Sequence, residues 1–201
     1  MKIFALLFFL LTISGCAANP WSVQKETDEF TDKTSCRVTY GSDFGRDVLK
    51  SYLGGIYYAP FIEKVNGEVI FGIRNDYNIP VGDVQIRIDE NEAILISYTE
   101  TPIFYAAAKP SMDFSYMTGI DGINTEAMNT TMAETINNIS KISSPFTATS
   151  GGKAKLIINQ IKSGSRLKMR VIGFGTNSAL SNTGEYSLGN NLKDALIGCG
   201  I

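Results

Sequence analysis

The chain has no histidine. That removes the commonest general base and the commonest metal-ligating side chain together. Ser-His-Asp and Cys-His catalysis are excluded as such, and so is zinc held by Cys and His. No charge of one sign dominates: 18 basic residues stand against 20 acidic ones, a net charge of −2. Lysines and arginines form no run. A nucleic-acid surface is therefore not expected, nor is recruitment to anionic lipid by a basic patch. Long apolar runs are missing as well. Ile3 to Ile13, interrupted only by Thr12, is eleven residues, short of the roughly 20 that a transmembrane helix needs.

What is present begins at the N-terminus. Lys2 supplies a positive charge ahead of the apolar stretch, which fits a secretory signal peptide. The stretch closes on Leu11, Ile13, Ser14, Gly15 and Cys16: aliphatic positions, two small residues, then cysteine. This resembles the lipobox of bacterial lipoproteins. The resemblance implies that Cys16 takes a diacylglyceryl group, that the chain is cut before it, and that the new amine is acylated, palmitate being a typical chain. Each buried methylene contributes roughly 0.8 kcal/mol, so several chains anchor where one holds weakly. Ala17, where an Asp tends to retain Gram-negative lipoproteins at the inner membrane, resembles an outer-membrane sorting signal. The expected partner of Cys16 is thus the membrane, with the domain facing the periplasm or the cell surface.

On that reading residues 1–15 are the signal peptide, 16–35 a lipidated polar tether, and 36–201 a single globular domain, long enough for a substantial core. Removing Lys2 leaves 17 basic and 20 acidic residues, a net charge of −3. Trp21 either lies at the membrane interface or docks on the domain. Cys36 and Cys199 remain as an even pair in an oxidising compartment, which reads as a disulfide. So long a closed loop contributes about 5 kcal/mol at most. A redox pair is the alternative, but the chain has no Cys-x-x-Cys.

From Cys36 the pattern is β-rich. Cys36 to Tyr40 reads as a strand, and Asp43 to Tyr52 as a helical turn ended by Gly54-Gly55. Ile56 to Ile62 and Glu68 to Arg74 flank Asn66-Gly67, a strong type I′ hairpin signal. Val84 to Asp89 alternates apolar and polar side chains, and Ala93 to Tyr98 returns from the Glu90 to Glu92 turn. Thr125 to Ile142 carries Met128, Met132, Thr135, Ile136 and Ile139 on one helical face. Ala154 to Ile161 and Arg166 to Phe174 read as a third hairpin around Lys162 to Ser165. Ser187 is placed to cap a closing helix through Ile197, with Leu188, Leu192, Ala195 and Leu196 apolar and Gly198 as its stop. The expected fold is mainly β, with α+β as an option. It is an antiparallel sandwich or a sheet of sequential hairpins with one or two packed helices, one of them C-terminal.

Chemistry is sparse. Asp89-Glu90-Asn91-Glu92 falls on a hairpin tip, a solvated turn that at most offers oxygen ligands to Ca²⁺. Gly173-Phe174-Gly175 lacks the third glycine of a dinucleotide loop, and Ser150-Gly151-Gly152-Lys153 misses the phosphate-loop pattern at both ends. No catalytic residue, metal site or cofactor is expected. Aromatics are the better lead. Tyr52, Tyr57, Tyr58 and Phe61 read chiefly as core. Phe104, Tyr105, Phe114 and Tyr116 lie in an apolar irregular stretch, Thr101 to Gly119, of the kind that covers a core or presents a partner surface.

Arg87-Ile88-Asp89, the turn Lys162 to Gly164, and Ser187-Leu188-Gly189 leading into Ala195-Leu196 together resemble the invasion-associated locus B family of small exported bacterial proteins. The family's paired central cysteines have no counterpart; Glu100-Thr101 to Ala108 stands there. The resemblance implies an exported β-sandwich of binding type and supplies no catalytic residue. The leading expectation is a non-enzymatic outer-membrane lipoprotein that binds an envelope or secretion-assembly protein. The alternatives are a periplasmic inhibitor or immunity lipoprotein, or a His-free hydrolase using acids or a Ser-Lys pair.

Overall fold

The computed structural model describes residues 21–41, 58–75, 79–106, 124–174 and 183–201. Its elements run β1 (Trp21–Thr27), β2 (Thr34–Tyr40), β3 (Tyr58–Val65), β4 (Glu68–Asn75), β5 (Asp83–Ile88), β6 (Ile94–Ile96), α1 (Thr125–Ile142), β7 (Phe146–Thr149), α2 (Gly151–Ser163), β8 (Arg166–Gly173), β9 (Thr183–Ser187) and α3 (Asn190–Gly198). Every strand pairing among the described residues is antiparallel. One sheet has the order β1-β2-β3-β4-β7 and the other β6-β5-β8-β9. Among the described residues the protein is mainly β, with two antiparallel sheets and three α-helices, one of them C-terminal.

The two sheets share a core because each strand sends alternate side chains to one face. Val38, Ile62 and Phe71 lie in one cross-strand row of the first sheet. They join Ile86, Ile88 and Leu167 of the second sheet, Ile157 and Ile161 of α2, and Leu192 and Leu196 of α3 in one buried cluster. The β3–β4 hairpin turns where the sequence says. Asn66 and Gly67 both have positive φ, 50° and 83°, the conformation a type I′ turn requires.

Four expectations change. The stretch Ala17 to Ser35, read as tether, contains β1, which is locked to β2 from Trp21↔Tyr40 to Thr27↔Thr34. Its polar residues mark an edge strand with a wet face. Trp21 is buried and docks on the domain, its ring 5.2 Å from Tyr40 and its Nε1 donating to the Ser187 carbonyl at 2.9 Å. Ala154 to Ile161 is helix α2, not a strand. Ala154, Ile157, Ile158 and Ile161 are its buried residues, a helical spacing whose β-branched content imitates a strand. The closing helix begins after Gly189, not Ser187, which ends β9. The left-handed residue beyond it is Gly200, φ 65°, while Gly198 is its last helical residue.

Cys36 and Cys199 form a disulfide, with Cα atoms 5.4 Å apart and a sequence separation of 163. The bond ties β2 to the end of α3. The predicted turn over Asp43 to Tyr52 lies outside the described residues.

Candidate partner surface

The first sheet has a second face, turned away from the shared core. Alternation places Arg37 on it from β2, Phe61 and Glu63 from β3, Ile70 and Gly72 from β4, and Phe146 and Ala148 from β7. Phe61, Ile70, Tyr105 and Ala148 form a second, smaller buried cluster, with Val65 and Phe146 against it. Gly72 makes the room: a Cβ there would stand 2.6 Å from the Phe61 ring and 2.8 Å from the Ala148 Cβ.

The cover over this face is the segment after β6. Two 3-10 turns, Tyr98–Glu100 and Ile103–Tyr105, carry it across. The first turn is fixed by a capping box between Ser97 and Glu100, which satisfies backbone donors that would otherwise be orphaned. Asp83 accepts from the Ser97 hydroxyl at 2.9 Å and the Tyr98 amide at 3.0 Å. Glu100 accepts from the Thr149 hydroxyl at 2.9 Å and from Lys153 Nζ at 2.6 Å. Burial alone would raise the Glu100 carboxyl. Hydrogen bonds from Lys153, the Ser97 amide and Thr149, with the Lys153 charge, outweigh that and hold it below its ordinary value. The Ser150 to Lys153 stretch thus turns its lysine onto a carboxylate and the Leu95 carbonyl.

The second turn presses Tyr105 onto the sheet. Its ring packs 5.4 Å from Phe61 and 5.2 Å from Phe146. Its hydroxyl donates to Glu63, which also takes the Arg37 guanidinium at 3.0 to 3.1 Å. Burial and the Glu63 charge push the Tyr105 hydroxyl far above its ordinary value, so it remains a neutral donor. Ser144 Oγ donates to the Tyr105 carbonyl at 2.8 Å, and the Ala148 amide donates to Thr101 Oγ1 at 3.2 Å.

Two of the four predicted surface aromatics can be placed, and they divide. Tyr105 is buried, so it is foundation, not contact surface. Phe104, one residue earlier, is 57% exposed, with Ile103 exposed beside it. Phe114 and Tyr116 lie outside the described residues. Residue type alone does not reveal that neighbours in one tight turn take opposite sides.

Helix α1 adjoins this platform. Its N-terminus is capped by Asn124, whose side chain accepts from the Ala127 amide at 2.9 Å. Near its end Lys141 Nζ reaches the Thr99 carbonyl at 2.5 Å. Among its 18 residues the one buried side chain is Ser140. Met128, Ile139 and Ile142 are exposed, Ile139 by 56%. Ile103 and the helix side chains Glu134, Asn138 and Lys141 line a shallow groove of about 480 Å³.

No family model matches the chain, and no curated protein or solved structure matches it either. The locus B resemblance stays an expectation, and one of its elements changes form: Lys162 to Gly164 closes a helix, not a hairpin. The acidic turn also differs from a freely solvated tip. Asp89 accepts from the Ser165 and Arg166 amides at 2.9 to 3.3 Å and so fixes the entry to β8. Among the described residues no group of acids and cysteines is placed to hold a metal ion. A second groove, about 340 Å³, runs beside the disulfide between Lys25, Ser35 and Lys64.

Proposed function

We propose that this chain is an outer-membrane lipoprotein, acylated at Cys16, whose β-rich domain binds an envelope or secretion-assembly protein without catalysing a reaction. The observation that carries the binding reading is α1 with the adjoining Phe104. A helix in a protein draws most of its stability from packing an apolar face. Here Met128, Ile139 and Ile142 are exposed and Met132 and Ile136 only half-buried, while the adjoining platform is tied down by several side-chain hydrogen bonds. A firm base under an exposed apolar rim is the anatomy of a protein-binding patch. The partner is a protein offering an apolar strip edged by polar groups, because Glu134, Asn138 and Lys141 border the same surface.

The anchoring half of the reading rests on the lipobox. Intact mass of the protein from its host should show acyl chains on Cys16, and Cys16→Ser should remove them. The binding half is tested by a photo-crosslinking amino acid in place of Phe104 in cells. A discrete protein adduct is expected, absent when the crosslinker stands in place of exposed Leu156 on α2. Equal, diffuse labelling from both positions would contradict it.

A further inference from the structure

The outer face of the second sheet carries a cluster of exposed basic side chains. Along β8, Arg166, Lys168 and Arg170 recur at every second position, and all three are exposed while Leu167 and Met169 are buried. Period-two spacing is why no basic run is visible in the sequence, yet it gathers the charges on one face. Arg87 of β5 adds a fourth, and it stands directly opposite Lys168 in the ladder. Like charges facing each other across a sheet are destabilising. Folding gains nothing from that pair, and such local conflicts concentrate where function demands them.

Opposing charge is limited. Glu185 on β9 lies opposite Lys168 but its carboxylate meets Arg166, at 3.4 Å. Glu90 and Glu92 stand in the turn beyond Arg87, whose Nε is held by the Asn91 carbonyl at 2.8 Å. Arg170 donates from Nε and Nη2 to the neutral Gln85 side chain, at 2.8 and 2.5 Å. The face therefore keeps a positive centre on a chain whose net charge is −2. A shallow depression of about 200 Å³, lined by Arg87, Lys168 and Arg170 with Gln85 and Ala93, lies in its middle.

The position of this face relative to the anchor decides the partner. Trp21 Nε1 holds the carbonyl of Ser187, and Ser187 is the ladder partner of Arg166. The root of β1 is thus one strand away from the basic row. Five peptide steps join Cys16 to Trp21, a reach of about 18 Å at full extension. A domain held that close to a bilayer is within about two Debye lengths of its headgroups at physiological salt.

We propose that the face formed by Arg87, Arg166, Lys168 and Arg170 rests on the anionic phospholipid headgroups of the membrane that holds the acyl chains, and so orients the domain. This builds on the lipoprotein reading above. It leaves the Phe104 and α1 surface for the protein partner. Each basic side chain near an anionic surface shifts the balance by about fivefold.

The test uses the full acylated protein in vesicles of phosphatidylethanolamine, with and without phosphatidylglycerol. Lysines are labelled with a membrane-impermeant acylating reagent and mapped by mass, taking exposed Lys33 and Lys162 as internal references. Lys168 labelling should fall at least about tenfold relative to the references in the anionic vesicles only. It should recover in about 0.5 M salt, where the Debye length is a few ångströms, and in Arg87→Gln/Arg170→Gln protein. Equal Lys168 reactivity with and without anionic lipid would overturn the proposal, and so would protection that survives salt. Protein lacking the acyl mass would instead overturn the anchor, a separate and recognisable result.

Discussion

At the scale of single residues, the platform under Phe104 depends on one buried carboxylate. Glu63 is 2% exposed and is satisfied by Arg37 and Tyr105. Removing one partner of a buried ion leaves the other uncompensated, so Arg37→Met should cost about 3 kcal/mol. Tyr105→Phe removes a single donor and should cost about 1 to 2 kcal/mol. Urea titration of both variants checks the order, and equal losses would contradict it. Glu100 gives a pH signature. Its folded pKa lies below its ordinary value of 4.5. Its contribution is therefore complete above that value and is lost as pH falls through the folded pKa. Glu100→Gln should be less stable than the parent at pH 7, and the gap should close in strong acid. A gap that persists unchanged at low pH would show that the carboxylate charge is not the cause. Tyr105 was legible in the sequence as an aromatic in an unusual segment. Its burial was not, because that depends on a 3-10 turn and on Glu63, 42 positions away.

At the scale of elements, local signals succeeded where turn chemistry was explicit. Asn66-Gly67 fixed one hairpin, the alternation of Val84 to Ile88 fixed a strand, and the Met/Ile stripe fixed α1. They failed where propensity and period disagree. Ile157 and Ile158 suggest a strand, but the buried set at 154, 157, 158 and 161 follows a helical turn. Ile161→Ala should accordingly cost about 2 to 4 kcal/mol, while Leu156→Ala, on the exposed side of α2, should stay within about 0.5 kcal/mol. Strand spacing would bury residues 156 and 158 together and reverse that contrast for Leu156. β1 was missed because its own residues are mostly polar, and β7 because its partner is remote: β7 has the sequence Phe-Thr-Ala-Thr and joins β4 across more than 70 residues. The disulfide followed from the cysteine count once Cys16 was set aside. Cys36→Ala/Cys199→Ala should lower stability by up to about 5 kcal/mol in urea. No loss would mean that the unfolded chain gains little freedom from opening this loop.

At the scale of the whole molecule, three surfaces divide the work proposed here. The lipobox anchors, the basic face of the second sheet orients, and α1 with Phe104 meets a protein. The first was the most legible part of the chain, because its motif is short and contiguous. The second was invisible, since β8 spaces its charges by two and Arg87 arrives from another strand. The third was half legible: the segment was singled out, but which of its aromatics is exposed required the fold. We propose that a partner protein completes α1. Helices with few buried side chains open locally at low free energy. Amide hydrogen exchange on the acylated protein, purified and in native envelopes, reads this coverage. Purified, α1 should exchange at least about tenfold faster than α2; in envelopes it should slow toward the α2 rate while α2 is unchanged. An α1 that exchanges at the same rate in both settings would mean that no partner covers it.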